Sequence, residues 1–203
     1  IVNNKLVTTD GAGNIQAVSI GTAGQSLKVN SGANGFEFGT ISSGTYSVHA
    51  FDDFYSHTQV AHSSQTDYVD ISNGNTVNFQ PTSTDDLIHF NYYSSVHTNN
   101  SDSGVHIYLM MKENSSSIGS GDTKLDYNGQ HTEYGTGQSN NYRMLARGLI
   151  LPCTGLNTSS TYYVEVAGAT HSSNTTNFNR PNNGGNGGNY RGGFLQLIHY
   201  KKN

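Results

Sequence analysis

From residue 46 onward the chain alternates apolar and polar positions in runs of five to eleven residues, the period of a half-buried strand. YSVHAF (46–51), TDYVDIS (66–72), TVNFQ (76–80), DLIHFNYYSSV (86–96) and GVHIYLMM (104–111) follow this pattern. YRMLARGLIL (142–151), TYYVEVAG (161–168), TTNFNR (175–180) and GGFLQLIHY (192–200) continue it. SNGN (72–75), TNNSDSG (98–104) and NSSSIGSGD (114–122) punctuate the runs with residues that favour turns. In the 86–96 run, Leu87, His89, Asn91 and Tyr93 share one face, and Ile88, Phe90 and Tyr92 the other. Nine such strands and no sustained helical period predict an antiparallel sandwich or jelly roll.

Residues 1–44 follow a different rule. Shifted by 21 positions, LVTTDGAGNIQAVSI (6–20) falls on LKVNSGANGFEFGTI (27–41). Leu6 meets Leu27, Gly11 meets Gly32, Ala12 meets Ala33, Ile15 meets Phe36 and Ile20 meets Ile41. Each copy is an extended segment, a Gly/Asn-rich turn and a second extended segment. The glycines of GTAGQSLKVNSGANGFEFG (21–39) are therefore turn residues of a repeat. A phosphate loop would need GxGxxG or GxxxxGK[ST] running into a helix, and neither is present. A flexible linker would have no reason to keep the register. Two copies of so slender a unit bury little apolar surface alone, which predicts a stalk (1–44) of several chains beneath a head (45–203).

Composition narrows the function classes. Charged residues are 12% of the 203, about half the usual share of roughly 25%. Ten Lys+Arg and a net charge of −4 provide no basic footprint for nucleic acid. No apolar run approaches the ~20 residues of a membrane-spanning helix, so no membrane insertion is expected. A chain that starts at Ile1 is expected to be part of a longer product. With Cys153 the only cysteine, neither an intrachain disulfide nor a cysteine-built zinc site can form.

Residues 82–200 resemble the C-terminal head domains of tail fibres and related appendages of bacterial viruses. The likeness rests on TSTDDLIHFNYY, on IYLMMKENSSSIGSGD with its turn Ile118, Gly119, Ser120, Gly121 and Asp122, and on TYYVEVAG, NFNR (177–180) and GGFLQLIHY, in that order. The repeat is similar to Gly-Thr-Ala-Gly-Gln repeats that precede such heads. The resemblance implies a homotrimeric, tumour-necrosis-factor-like jelly roll at the end of a stalk. It also implies a place on the virion, on tail or capsid, with other virion proteins joined through the N-terminal segment, and adhesion to the host surface. This chain departs from the family at His199 and Tyr200, where a carboxylate is common, and in its long glycine-rich 181–190 loop.

The candidate chemistry favours binding over catalysis. His49, Asp52, Asp53, His57 and His62 lie close in sequence, but on strands they would diverge over several ladder positions, and no metal or other cofactor is expected. Asp85/Asp86 and Asp122/Asp126 are nominal carboxylate pairs. Asp70, Glu133 and Glu165 are expected as lone acids on polar strand faces. No GxSxG elbow occurs; GQSN (137–140) and GSGD (119–122) are different motifs. Sequons at Asn99, Asn114, Asn157 and Asn174 are expected by chance in a chain so rich in Asn, Ser and Thr.

Glycan binding has better material, because tyrosine offers an apolar face and a hydroxyl with few rotamers to freeze. The segments 127–143 and 179–193 interleave Tyr127, His131, Tyr134, Tyr142, Asn189, Tyr190 and Arg191 with further Asn and Gln. They are the expected contacts to a host surface glycan; their structural alternative is to cap the sandwich or pack between chains. The expected protein is thus a non-enzymatic appendage. A capsid decoration protein and a surface-polysaccharide depolymerase are the alternatives.

Overall fold

The computed structural model describes residues 5–9, 12–19, 22, 25–29, 32, 36–40, 44–98, 104–126, 141–171, 175–179 and 192–203. The chain divides into two compact units, Ile1–Thr45 with Asn203, and Tyr46–Lys202.

In the first unit, β1 (Lys5–Thr9) pairs antiparallel with β2 (Ile15–Ser19), and β3 (Gln25–Val29) with β4 (Phe36–Thr40). Both copies of the repeat are hairpins, but their registers differ by one residue. Thr9 faces Ile15 across residues 10–14, whereas Val29 faces Phe36 across the longer 30–35. Since strand side chains alternate, that offset decides which residues share a face. In the second hairpin it gathers Leu27, Val29, Phe36 and Phe38 on one face, while Lys28 and Glu37 pair on the other at 3.2 Å. Leu27, Val29 and Phe36 are exposed there.

The second unit is a sandwich of two antiparallel sheets, and no helix occurs among the described residues. Its strands are β5 (Tyr46–Ser56), β6 (Val60–His62), β7 (Thr66–Asp70), β8 (Val77–Phe79), β9 (Leu87–Thr98) and β10 (Val105–Glu113). They continue with β11 (Thr123–Leu125), β12 (Asn141–Pro152), β13 (Tyr162–Thr170), β14 (Thr176–Phe178) and β15 (Gly193–Lys202). One sheet runs β12–β9–β15–β5, with β14 and β6 extending it; the other runs β11–β10–β13–β7, with β8 also against β13. Counting β7 and β8 as one broken strand and setting the short β6 and β14 aside, eight strands remain. First pairs with eighth, second with seventh, third with sixth and fourth with fifth. That is one long hairpin rolled into two sheets, the jelly-roll topology.

The alternation read from the sequence sets the layers. Ile88, Phe90 and Tyr92 of β9 and Leu195 and Leu197 of β15 point inward against Ile107 and Leu109 of β10 and Val164 and Val166 of β13. Burying each such side chain is worth about 1.5–3 kcal/mol. Packing is close at the β13 bulge: a Cβ on Gly168 would lie 2.6 Å from Phe178 Cζ, so only glycine fits. The three-residue β6 and β11 were not expected, being too short to show a period.

The C-terminal strand is fastened by a buried carboxylate. Asp86 Oδ2 accepts from Thr82 N at 2.8 Å, Thr82 Oγ1 at 2.8 Å, Ser83 N at 3.1 Å and His199 Nε2 at 2.9 Å. Oδ1 accepts from Lys202 N at 3.2 Å, and the Asp86 carbonyl from Cys153 N at 2.9 Å. One residue thus joins the turn before β9 and the end of β15 through its carboxylate, and the exit of β12 through its carbonyl. A bulge between His199 and Tyr200 sets the His49 ring edge-on to His199, at 4.9 Å. Burial alone would raise the Asp86 carboxyl, but the His199, Thr82 and Lys202 hydrogen bonds outweigh it and hold it well below the usual carboxylate range. A folded-state value depressed in this way adds stability above the unfolded value of 3.8, lost as pH falls below it. Asp86→Ala leaves buried donors unmatched and is expected to cost about 3 kcal/mol in urea unfolding at neutral pH. The variant should also lose part of the wild-type acid sensitivity. A cost under about 1 kcal/mol would remove Asp86 from this role.

Candidate interaction surface

The outer faces of the two sheets differ in what covers them. On the five-stranded sheet, Tyr108 and Met110 of β10 and Ala167 and Ala169 of β13 are buried although they point away from the core, with Tyr68 and Ile118 packed on them. The six-stranded sheet has no such cover among the described residues. Every exposed large apolar side chain described in Tyr46–Lys202 lies on its outer face: Tyr46, Val48, Phe51 and Tyr55 of β5, and Met144 and Ile150 of β12.

Strand register assembles this face in rows. Tyr55, Phe194, Tyr93 and Ala146 form one across β5, β15, β9 and β12, with ring centroids 4.7 Å apart for Tyr55–Phe194 and 5.4 Å for Tyr93–Phe194. Next is a polar row of Asp53, Gln196, Asn91 and Gly148, in which Asn91 Nδ2 donates to Gln196 Oε1 at 3.1 Å. Phe51, Ile198, His89 and Ile150 form the third, and Val48, Tyr200, Leu87 and Pro152 the fourth. β9 carries both faces: its Leu87, His89, Asn91 and Tyr93 face outward while Ile88, Phe90 and Tyr92 fill the core. Four strands ~4.8 Å apart and six residues rising ~3.4 Å each give an area roughly 15 by 20 Å. Asp53 and His89 are the titratable groups in its two central rows. The surface can therefore stack, exclude water and make a few neutral hydrogen bonds.

Several of the carboxylates considered from sequence have structural partners. Asp126 Oδ2 meets Arg147 Nη2 at 3.2 Å and accepts from the Tyr92 hydroxyl at 3.1 Å. Asp122 Oδ2 holds Lys112 Nζ at 3.2 Å and the Gly119 amide at 2.8 Å. Asp52 Oδ2 accepts from Asn78 N at 3.1 Å, and the His62 ring meets Ser64 Oγ at 3.1 Å. Among the described residues no three His, Cys, Asp or Glu side chains are placed to hold a metal ion. Burial pushes the Cys153 thiol up to about 12, with Asp86 adding to it, so it is a poor nucleophile.

Glu165 does not lie on a solvated polar face; it is 2% exposed, and Tyr68 Oη donates to its Oε1 at 2.8 Å. Tyr68 reaches it from β7, and Ile118 of the 114–122 segment, a turn cluster by sequence, meets the same hydroxyl at 3.3 Å. A lysine closing the preceding strand and an aspartate closing the turn, Lys112 and Asp122, were the available hint that this segment is tied down.

Of the glycan candidates, Tyr127, His131, Tyr134, Asn189, Tyr190 and Arg191 lie outside the described residues, as does Glu133. Tyr142 is described only in its backbone, which lies in β12 and pairs with His97 of β9. Described residues bordering the two segments approach one end of the six-stranded sheet. Asn141 pairs with Thr98 at the end of β9, and Gly193 with Ser94 of the same strand and with Ser56 at the end of β5.

No protein-family model matches the chain, and no curated protein does. Among solved structures, that of infectious bursal disease virus Gt strain is similar with a TM-score of 0.39 and 10% identity, over 96% of this chain and 46% of that one. The structure of the Gx strain of the same virus is similar with a TM-score of 0.32 and 9% identity, over 98% of this chain and 46% of that one. The chain thus spans under half the length of either, and neither likeness bears on its activity.

Proposed function

We propose that this chain is a virion structural protein, the stalk and head of a tail or capsid fibre, that assembles as a homotrimer and attaches to host surface glycan. The observation that carries the assembly is the concentration of the head's exposed large apolar side chains, as far as they are described, on one outer sheet face. Support for the viral setting is the resemblance of residues 82–200 to appendage heads, in keeping with the jelly-roll order of the strands. Further copies of the chain are the fitting cover, because the first unit needs the same remedy. Its second hairpin exposes Leu27, Val29 and Phe36, and a lone two-stranded hairpin is marginal in water. Even if side-chain relief doubles the roughly 300 Å² of projected head face, it falls short of the ~800 Å² per partner of a stable interface. Association through both units adds the exposed Leu27, Val29 and Phe36 to the buried area. Three heads then multiply weak glycan contacts, with no catalysis required. Other virion proteins join through the N-terminal segment.

Two experiments test the parts separately. Phe51→Glu combined with Ile150→Glu places two charges on the outer face without touching the core. Light scattering after size exclusion should show the wild-type assembly reduced to single folded chains. An unchanged mass would remove this face from the interface. Tyr190→Ala with Arg191→Ala should abolish binding to host cells and leave the wild-type mass intact. Undiminished binding would overturn the attachment reading at those residues.

A further inference from the structure

Residues 114–122 form a strap across the outer face of the five-stranded sheet. Its first end is fixed where Asn114 N donates to Thr161 O at 2.7 Å and Thr161 N to Asn114 Oδ1 at 3.1 Å. Its second end is fixed by Asp122, through the Gly119 amide at 2.8 Å and Lys112 Nζ at 3.2 Å; that ammonium also donates to Ser117 O at 2.8 Å. Between these anchors Ile118 packs beside Tyr68 on the cluster of Tyr108, Met110, Ala167 and Ala169, with its carbonyl 3.3 Å from the hydroxyl that Tyr68 extends from β7. Glu165 of β13 is buried in this region.

The Tyr68 hydroxyl lies between two acceptors, Glu165 Oε1 at 2.8 Å and the Ile118 carbonyl at 3.3 Å. It has one hydrogen. With Glu165 ionised, that hydrogen goes to the charged and nearer oxygen, and the Ile118 carbonyl faces only lone pairs. With Glu165 protonated, the carboxyl has a hydrogen of its own to give, and two donors serve two acceptors in a directed chain. We propose that Glu165 is a proton-operated latch: protonated, it donates to the Tyr68 oxygen, Tyr68 donates to the Ile118 carbonyl, and strap 114–122 is fastened across the sheet; ionised, it reclaims the Tyr68 hydrogen and frees the strap.

The surroundings set the operating range. Burial raises the Glu165 carboxyl first, the Tyr68 hydrogen bond lowers it, and Asp70 and Asp122 raise it further, to about 7. Burial likewise pushes Tyr68 far above its usual range, so the hydroxyl keeps its hydrogen throughout. Further charged or titratable groups on this side, among the described residues, are Lys112, paired with Asp122, Tyr163 opposite Lys112 in β13, Lys124 over the Tyr108 ring at 5.8 Å, the His106–His171 pair at 3.0 Å, and Asp67, which acts on His106. Burial, with His171, holds His106 down to about 4, so it stays neutral while Glu165 titrates. A carboxyl raised above its unfolded value of 4.5 adds stability below that value, lost as pH rises through about 7. Opening of the strap lifts Ile118 from the cluster of Tyr108, Met110, Ala167 and Ala169, on the opposite side of the sandwich.

The test is hydrogen–deuterium exchange at the strap amides, corrected for intrinsic rates, at about pH 5.5 and about pH 8.5. Wild-type protection should fall about tenfold between the two, the equivalent of one unit of linked titration. Glu165→Gln, whose amide does not titrate and can donate to the Tyr68 oxygen at any pH, should keep the high protection at both. Tyr68→Phe, which breaks the relay, should show low protection at both; near-ultraviolet circular dichroism confirms that each variant is folded. Wild-type protection that does not change with pH would overturn the latch. So would a Glu165→Gln variant that keeps the fall, or a Tyr68→Phe variant as protected as wild type at the lower pH.

Discussion

A β-strand offers two faces, and both must be covered if both are apolar. β9 shows the constraint most directly. It is paired on both edges, along its length by β12 and on the other side by β15 and then β14, so its backbone is satisfied within the sheet. Its inward residues fill the core, and its outward residues form the middle of an open face with Phe194, Ile198, Phe51 and Ile150. The five-stranded sheet faces the same demand and meets it from its own chain, with Tyr68 of β7 and Ile118 of the 114–122 segment packed on Tyr108, Met110, Ala167 and Ala169. One sheet is covered by itself and the other is left for a neighbour. The proposed assembly follows from that asymmetry.

The two buried carboxylates mark a second division. Asp86 is ionised and surrounded by donors from two distant parts of the chain, so it fastens the fold wherever it stays charged. Glu165 has one neutral donor and acidic neighbours, so burial favours its protonated form. The difference lies in the hydrogen-bond supply, since both side chains are nearly inaccessible to water. The first acid is suited to permanence and the second to response.

Much of the fold was legible because alternation survives in the sequence. The faces assigned to Ile88, Phe90 and Tyr92 and to Leu87, His89, Asn91 and Tyr93 are those observed. β6 and β11 were illegible because three residues cannot display a period. The one-residue offset between the hairpins depends on turn length, which the aligned residues of the repeat conceal. The open face was hidden for another reason: Phe51, Ile198 and Ile150 come from three separated strands, and only the strand order brings them together. Glu165 was misjudged because Tyr68 reaches it from β7, and the Asp86–His199 contact joins residues 113 apart. The sequence-derived glycan segments lie outside the described residues, apart from the Tyr142 backbone.

The central claim is that further copies of this chain cover the outer face of the six-stranded sheet. Sedimentation equilibrium of the wild-type chain, across a wide range of protein concentration, tests it most directly. The account predicts a single species of three chains, each of 21.9 kDa, that persists on dilution. A folded monomer at every concentration would contradict it.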